Sequence, residues 1–147
     1  MKKKYPSRSL EKLLDTPREH VWQLLNELSA PGLPQKLQST DPAHDPTIVE
    51  TLLSFEPPWR LAYSLSGPAT NLSLCHASYF LRDQGPQCQL SWGVVVNPQP
   101  SAQGLEFLEC TVATTAAFIN HIANHIANHI ANQATAIPNP AGASNAK

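Results

Sequence analysis

The sequence predicts a single α+β domain in which an antiparallel sheet is closed by one long C-terminal helix. Residues 49–98 divide into four strand-like segments joined by turns. They are followed, after a loop, by a helical pattern over residues 105–133 without Pro or Gly. A run of strands followed by a helix is typical of α+β domains. This order of elements favours a fold built around an internal pocket.

Length and composition indicate one domain followed by a short tail. The chain has 147 residues, of which 41% are hydrophobic, and this is enough for one core and too little for two. We expect the domain to span residues 1–133. Residues 134–147 consist mainly of Ala, Asn, Pro, Gly and Ser, so we expect them to form a disordered tail.

The charge and hydropathy of the chain exclude several classes of protein. A net charge of -1 and a pI near 6.6 provide no basic field, so nucleic acid is not an expected partner. No apolar run approaches about 18 residues, so we expect no membrane insertion and a cytoplasmic location. The three cysteines lack a C-x-x-C spacing and are interpreted as reduced, buried thiols.

The N-terminal third of the chain predicts one strand and one short helix. Residues 7–14 form the candidate strand, and Thr16-Pro17-Arg18-Glu19 has the form of a capping box with proline at the first helical position. Apolar residues then recur at helical spacing until Ala30-Pro31-Gly32. Residues 31–46 are rich in Pro, Gln, Ser and Asp and are interpreted as a loop.

Four strands are predicted over residues 48–55, 60–66, 74–82 and 87–96. The connections between them are short, which indicates antiparallel neighbours. Alternation predicts that one face of two strands points inward, and this face comprises Leu61, Tyr63 and Leu65 on one strand and Leu90, Trp92, Val94 and Val96 on the other. In the strand between them, either the face of His76 or the face of Cys75 could point inward.

Three segments of the chain resemble the SRPBCC or START-like superfamily, in particular its polyketide cyclase/dehydrase-like branch. They are residues 16–22, residues 49–63, and Leu90-Ser91-Trp92 near Asn97-Pro98. The resemblance covers about residues 7–120. It implies a helix-grip fold, in which an antiparallel sheet wraps around a long C-terminal helix and leaves an apolar cavity.

The chain departs from this family in the segment that precedes residue 48. Family members carry two further strands there, whereas this chain has only the Pro-rich residues 31–46. We therefore expect a sheet that lacks two strands. An exposed strand edge could pair with a second copy, which makes a homodimer an alternative to a monomer.

A second departure is the sequence His-Ile-Ala-Asn, which occurs three times over residues 121–132. A period of four residues drifts by about 40° per repeat in an α-helix, so His121, His125 and His129 form a slanted stripe. Such a stripe could chelate a metal ion, interact with the helix dipole, or result from a duplication without a chemical role. Because no third strong ligand lies nearby in sequence, we expect no physiological metal site.

The most favoured function is binding of an apolar or aromatic small molecule between sheet and helix, without a cofactor. Tyr63, His76, Trp92 and Val94 are the predicted ligand-binding residues. One alternative is a cyclase or dehydratase with His76 as general base, Tyr63 as hydrogen-bond donor and Glu50 as acid. Another is a protein-interaction module whose partner completes the sheet.

Overall fold

A computed structural model describes residues 4–28 and 48–136 of the chain. The elements follow the order strand, helix, four strands, helix. In chain order they are β1 (Ser7–Leu14), α1 (Arg18–Glu27), β2 (Val49–Glu56), β3 (Arg60–Ser66), a 3-10 turn (Pro68–Thr70), β4 (Cys75–Gln84), β5 (Gln87–Val96) and α2 (Ala102–Ala136). The predicted α+β class is confirmed, and the predicted strands differ from the observed ones by at most two residues at an end.

The five strands form one antiparallel sheet in the order β1-β5-β4-β3-β2. Short turns connect β2 to β3 and β4 to β5, and the second turn contains Gly85 at φ +70°. A register shift between Leu52 and Ser54 interrupts the pairing of β2 with β3. Among the described residues, the sheet has five strands and β1 and β2 are its two edges. The predicted absence of two further strands concerns residues 31–46, which lie outside the described residues.

One face of the sheet supplies most of the core. Along β5 the inward residues are all buried, and they are Cys88, Leu90, Trp92, Val94 and Val96. The inward face predicted for β3 is likewise correct, with Leu61 and Tyr63 fully buried. In β4 the inward residues are Cys75, Ala77, Tyr79 and Leu81, and His76 is exposed on the other face.

α2 is longer than predicted, with 35 residues. It starts three residues before the predicted position, and Gly104 lies in its first turn. It continues to Ala136, so the first residues assigned to a tail belong to the helix. The rest of that predicted tail and the predicted loop at 31–46 fall outside the described residues. α2 packs on the inner face of the sheet through buried Leu108, Ile119, Ile122 and Ile126.

The predicted capping box at the start of α1 is wrong. Pro17 occupies the N-cap position, and no side chain caps the helix. The hydroxyl of Thr16 lies 2.7 Å from Nδ1 of His20. Thr16 therefore bonds to a side chain one turn into the helix and does not satisfy a free backbone N–H group.

None of the described helices is both long enough and sufficiently apolar to cross a membrane.

Candidate functional site

A pocket of about 270 Å³ lies between the β2–β3 edge of the sheet and α2. This is the space that the order of elements predicted between sheet and helix. Its walls come from both layers, and the lining residues are Ile48, Glu50, Tyr63, Leu65, Phe107, Cys110, Thr111, Thr114 and Thr115. Cys110 and Thr114 are exposed, whereas Tyr63 and Thr115 are buried. The pocket therefore runs from the surface of α2 down to the core.

Tyr63 forms the floor of the pocket and joins it to the core. The indole Nε1–H of Trp92 donates a hydrogen bond of 3.1 Å to the Tyr63 hydroxyl oxygen. The ring of Tyr63 also stacks on that of Tyr79, with centroids 6.3 Å apart. Both contacts fix the orientation of the Tyr63 ring.

Glu50 is the acidic residue of the site. It lies on β2 opposite Leu65, and among the described residues that line the pocket it is the one with a charged side chain. Burial raises the pKa of Tyr63 well above its ordinary value, the hydrogen bond from Trp92 lowers it, and the Glu50 charge raises it further. The pKa of Tyr79 is raised by burial and by the neighbouring Tyr63 and Glu50. Both phenols therefore stay protonated and act as hydrogen-bonding groups.

The helix contributes residues that the sequence analysis missed. Cys110, Thr111, Thr114 and Thr115 place small polar groups along the pocket side of α2. The Thr111 hydroxyl donates to the backbone carbonyl of Phe107 at 2.9 Å, so its proton is used within the helix and its oxygen can serve a ligand only as an acceptor. The spacing of these residues could have identified them. Thr114 and Thr115 follow Thr111 by three and four positions, which places all three on one side of a helix whose other inward residues are mainly aliphatic.

The predicted site residues do not all lie together. Tyr63 and Glu50 line the pocket, and Trp92 lies directly behind Tyr63. Val94 is buried in the core further along β5 and does not line the pocket. His76 lies on the opposite face of the sheet. Side chains alternate along β4, and the buried ones are those of odd-numbered residues such as Cys75 and Ala77. His76, predicted as a ligand-binding residue and candidate general base, therefore lies outside this pocket.

A larger depression of about 570 Å³ crosses the outer face of the sheet, and His76 lies there. Its central positions carry small side chains, including Ser78, Ala62 and Gly93, which leaves a shallow surface. We treat the smaller pocket as the candidate site, because it is formed by two layers and combines a carboxylate, a phenol and apolar walls.

The histidine stripe lies on the solvent side of α2. His121, His125 and His129 are exposed, whereas Ile122 and Ile126 of the same repeats are buried. Within residues 4–28 and 48–136, no three His, Cys, Asp or Glu side chains are grouped so as to hold a metal ion.

Comparison with solved structures shows the same fold in proteins of low sequence similarity. An uncharacterised protein from Bacillus thuringiensis is 14% identical, with a TM-score of 0.61 over 82% of this chain and 98% of that one. Norcoclaurine synthase from Thalictrum flavum is 10% identical, with a TM-score of 0.59 over 88% and 98%. An aromatase/cyclase from Streptomyces sp. R1128 is 11% identical, with a TM-score of 0.53 over 86% and 96%.

At the level of sequence the chain matches no family model, and no curated protein matches it significantly. The structural neighbours confirm the helix-grip fold that the resemblance predicted. At such identities the likeness extends to the fold alone.

Proposed function

We propose that this chain, which has a helix-grip fold, binds an apolar or aromatic small molecule in the pocket between β2, β3 and α2. The observation that carries the proposal is the composition of the pocket. Leu65, Phe107 and the Tyr63 ring offer apolar contacts, while the Tyr63 hydroxyl and Glu50 can orient a polar group of the ligand. Its 270 Å³ is slightly below the range of about 300–1,000 Å³ common for drug-sized ligands, which favours a small compound.

The proposal also gives the expected polarity of the ligand. The acidic residue Glu50 lines the described part of the pocket, which favours a neutral or cationic group on the ligand over an anionic one. In this proposal the protein is soluble and cytoplasmic.

The first experiment fills the pocket from the helix side. Thr111→Trp places an indole into the pocket, whereas Ala113→Trp places the same group on an exposed position of α2. Binding is followed by the fluorescence of the neutral probe N-phenyl-1-naphthylamine. We expect Thr111→Trp to weaken binding by at least about tenfold, the equivalent of 1.4 kcal/mol, and Ala113→Trp to leave it unchanged. Equal affinities in both variants would place the probe elsewhere and contradict the proposal.

Cys110 provides an independent measure of occupancy. It is exposed and lines the pocket, whereas Cys75 and Cys88 are buried. A bound ligand should therefore slow the reaction of Cys110 with a maleimide, and native mass spectrometry of untagged protein should detect any compound that co-purifies from cells. An unchanged labelling rate at saturating probe would count against occupation of this pocket.

An enzyme of the cyclase or dehydratase type is a second candidate, because Glu50 and Tyr63 face the same pocket. In such an enzyme Glu50 transfers the proton, and Tyr63, whose pKa is raised by burial, donates a hydrogen bond to the substrate oxygen. Glu50→Gln should then abolish turnover of a bound compound while sparing its affinity. Loss of affinity and turnover together would indicate a binding role alone.

A protein-interaction module is a third candidate, because β2 is paired on one side only within the described residues. It also exposes Val49 and Leu53, each at 51% of its surface. A homodimer would form through this edge, and concentration-dependent dimerisation in native mass spectra would favour it. A monomer at all concentrations would exclude the homodimer.

A further inference from the structure

Two histidines that are 109 positions apart in the sequence meet between α1 and α2. The ring centroids of His20 on α1 and His129 on α2 lie 5.9 Å apart, with the ring planes inclined by 60°. His20 is partly buried and His129 is exposed. The contact joins the third of the His-Ile-Ala-Asn repeats to the N-terminal helix.

The ring of His20 is held by a neighbouring hydroxyl. Thr16 is buried, and its Oγ1 lies 2.7 Å from Nδ1 of His20. When Nδ1 carries the proton it donates to this oxygen, and the lone pair of Nε2 is then free to bind a metal ion. Such an outer hydrogen bond is the usual way in which a metal-binding histidine is oriented.

The separation of the two rings suits a shared ion. Nitrogen ligands bind Zn²⁺ at about 2.0–2.1 Å, so two imidazoles on one tetrahedral ion place their ring centroids roughly 5 Å apart. The observed 5.9 Å is somewhat longer. The two rings would therefore have to approach each other by less than about 1 Å, with both nitrogens turned towards the ion, to share it.

The three repeats have the same sequence, but their histidines have different neighbours. His121 and His125 are exposed on the same helix, and among the described ring contacts only His129 faces another histidine. Buried Ile126 fixes this part of α2 on the core, while buried Val21 and Leu24 fix α1. The site therefore lies between two anchored elements.

We propose that a divalent transition-metal ion of the Zn²⁺ class binds between α1 and α2 through His20 and His129. Water completes its coordination, since no third side chain of the described residues closes the site. An ion bound this way links the two helices and stabilises the folded chain in proportion to its concentration.

The test is a titration of the untagged full chain with Zn²⁺, followed by calorimetry and by thermal unfolding. We expect one Zn²⁺ site per chain, weakened at least about tenfold by His20→Ala and by His129→Ala. Thr16→Val should weaken it by roughly 10–100-fold, the usual effect of removing an outer-shell partner. His121→Ala is the matched control, because it removes the same side chain from the first repeat and should leave the affinity unchanged.

The competing arrangement is chelation by histidines four positions apart on α2 alone, which does not need His20. Wild-type affinity in His20→Ala would therefore overturn the proposal, as would a loss in His121→Ala equal to that in His129→Ala. Absence of Zn²⁺ binding by the wild-type chain would overturn it as well. Because His129 is exposed, His129→Ala should keep its metal-free unfolding temperature while losing the rise that Zn²⁺ causes in the wild type.

Discussion

Tyr63 links the candidate pocket to the core through a single hydrogen bond, which makes its hydroxyl a structural group as well as a binding group. Tyr63→Phe leaves the Trp92 N–H buried without its acceptor. An unsatisfied buried donor costs about 1–3 kcal/mol, so we expect the free energy of unfolding in urea to fall by this amount. Tyr5→Phe is the control, because Tyr5 is 50% exposed. Equal stability of both variants would show that water replaces the Tyr63 oxygen.

The buried thiols predict a loss of stability at alkaline pH. Burial raises the pKa of Cys75 and of Cys88 from the usual 9.0 to about 11. The unfolded chain releases these protons first, so their contribution is complete below pH 9 and is lost as the pH rises towards 11. Urea midpoints measured between pH 8 and pH 11 should fall less steeply in Cys75→Ala/Cys88→Ala than in the wild type. Parallel curves would contradict this origin.

At the scale of elements, the first turn of α2 contains a glycine because another segment approaches its backbone. A Cβ atom at Gly104 would lie 2.7 Å from Leu72 Cδ2 and 2.8 Å from the backbone oxygen of Asn71. Gly104→Ala gains about 1 kcal/mol of helix propensity, but overpacking costs about 1–3 kcal/mol.

We therefore expect Gly104→Ala to lower the thermal unfolding temperature. Gly93→Ala in β5 is the matched control, because a Cβ there meets nothing closer than Arg8 O at 3.8 Å. A higher unfolding temperature in Gly104→Ala would mean that the segment after β3 moves away without cost.

The strands were predictable because each has one buried face with a period of two, as in Leu61 and Tyr63 or in Leu90 and Trp92. β4 was ambiguous because it carries large or apolar residues on both sides, including exposed Phe80 at 40%. Nothing local could decide that His76 points outward. The start of α1 was misassigned because the hydroxyl of Thr16 has a side-chain partner, His20, which competes with capping.

The pocket was predictable as a space between layers, but only in part as a set of residues. Tyr63 and Glu50 could be named because they lie on predicted strands. The helix residues were missed because the helix was recognised from its apolar positions alone, and the Cys and Thr residues that line the pocket lie between those positions. The pairing of His20 with His129 depends on the relative position of two helices, which no periodicity encodes.

At the scale of the whole molecule, the sheet and α2 are joined chiefly by apolar contacts. Within the part of the chain that the structure describes, one ion pair crosses between them, from Arg8 on β1 to Glu109 on α2 at 2.8 Å, and both side chains are substantially exposed, at 41% and 56%. Exposed pairs of this kind contribute about 0–1 kcal/mol and are screened by salt. The attachment of the helix therefore depends on its buried aliphatic residues.

The three repeats provide an internal test of this attachment, because they place the same residue at three depths. Ile122 is 0% exposed, Ile126 is 3% exposed and Ile130 is 45% exposed. Replacement of a buried Ile by Ala costs about 2–5 kcal/mol through lost contacts and a cavity, whereas exposed positions change stability by about 0.5 kcal/mol or less. We expect urea denaturation to rank the losses as Ile122→Ala, close to Ile126→Ala, and far above Ile130→Ala. Since all three variants carry the same substitution within the same four-residue sequence, helix propensity cancels and the differences report burial alone. Losses at Ile122 and Ile126 as small as the loss at Ile130 would mean that the end of α2 is not held against the sheet, and would also remove the basis for the His20–His129 site.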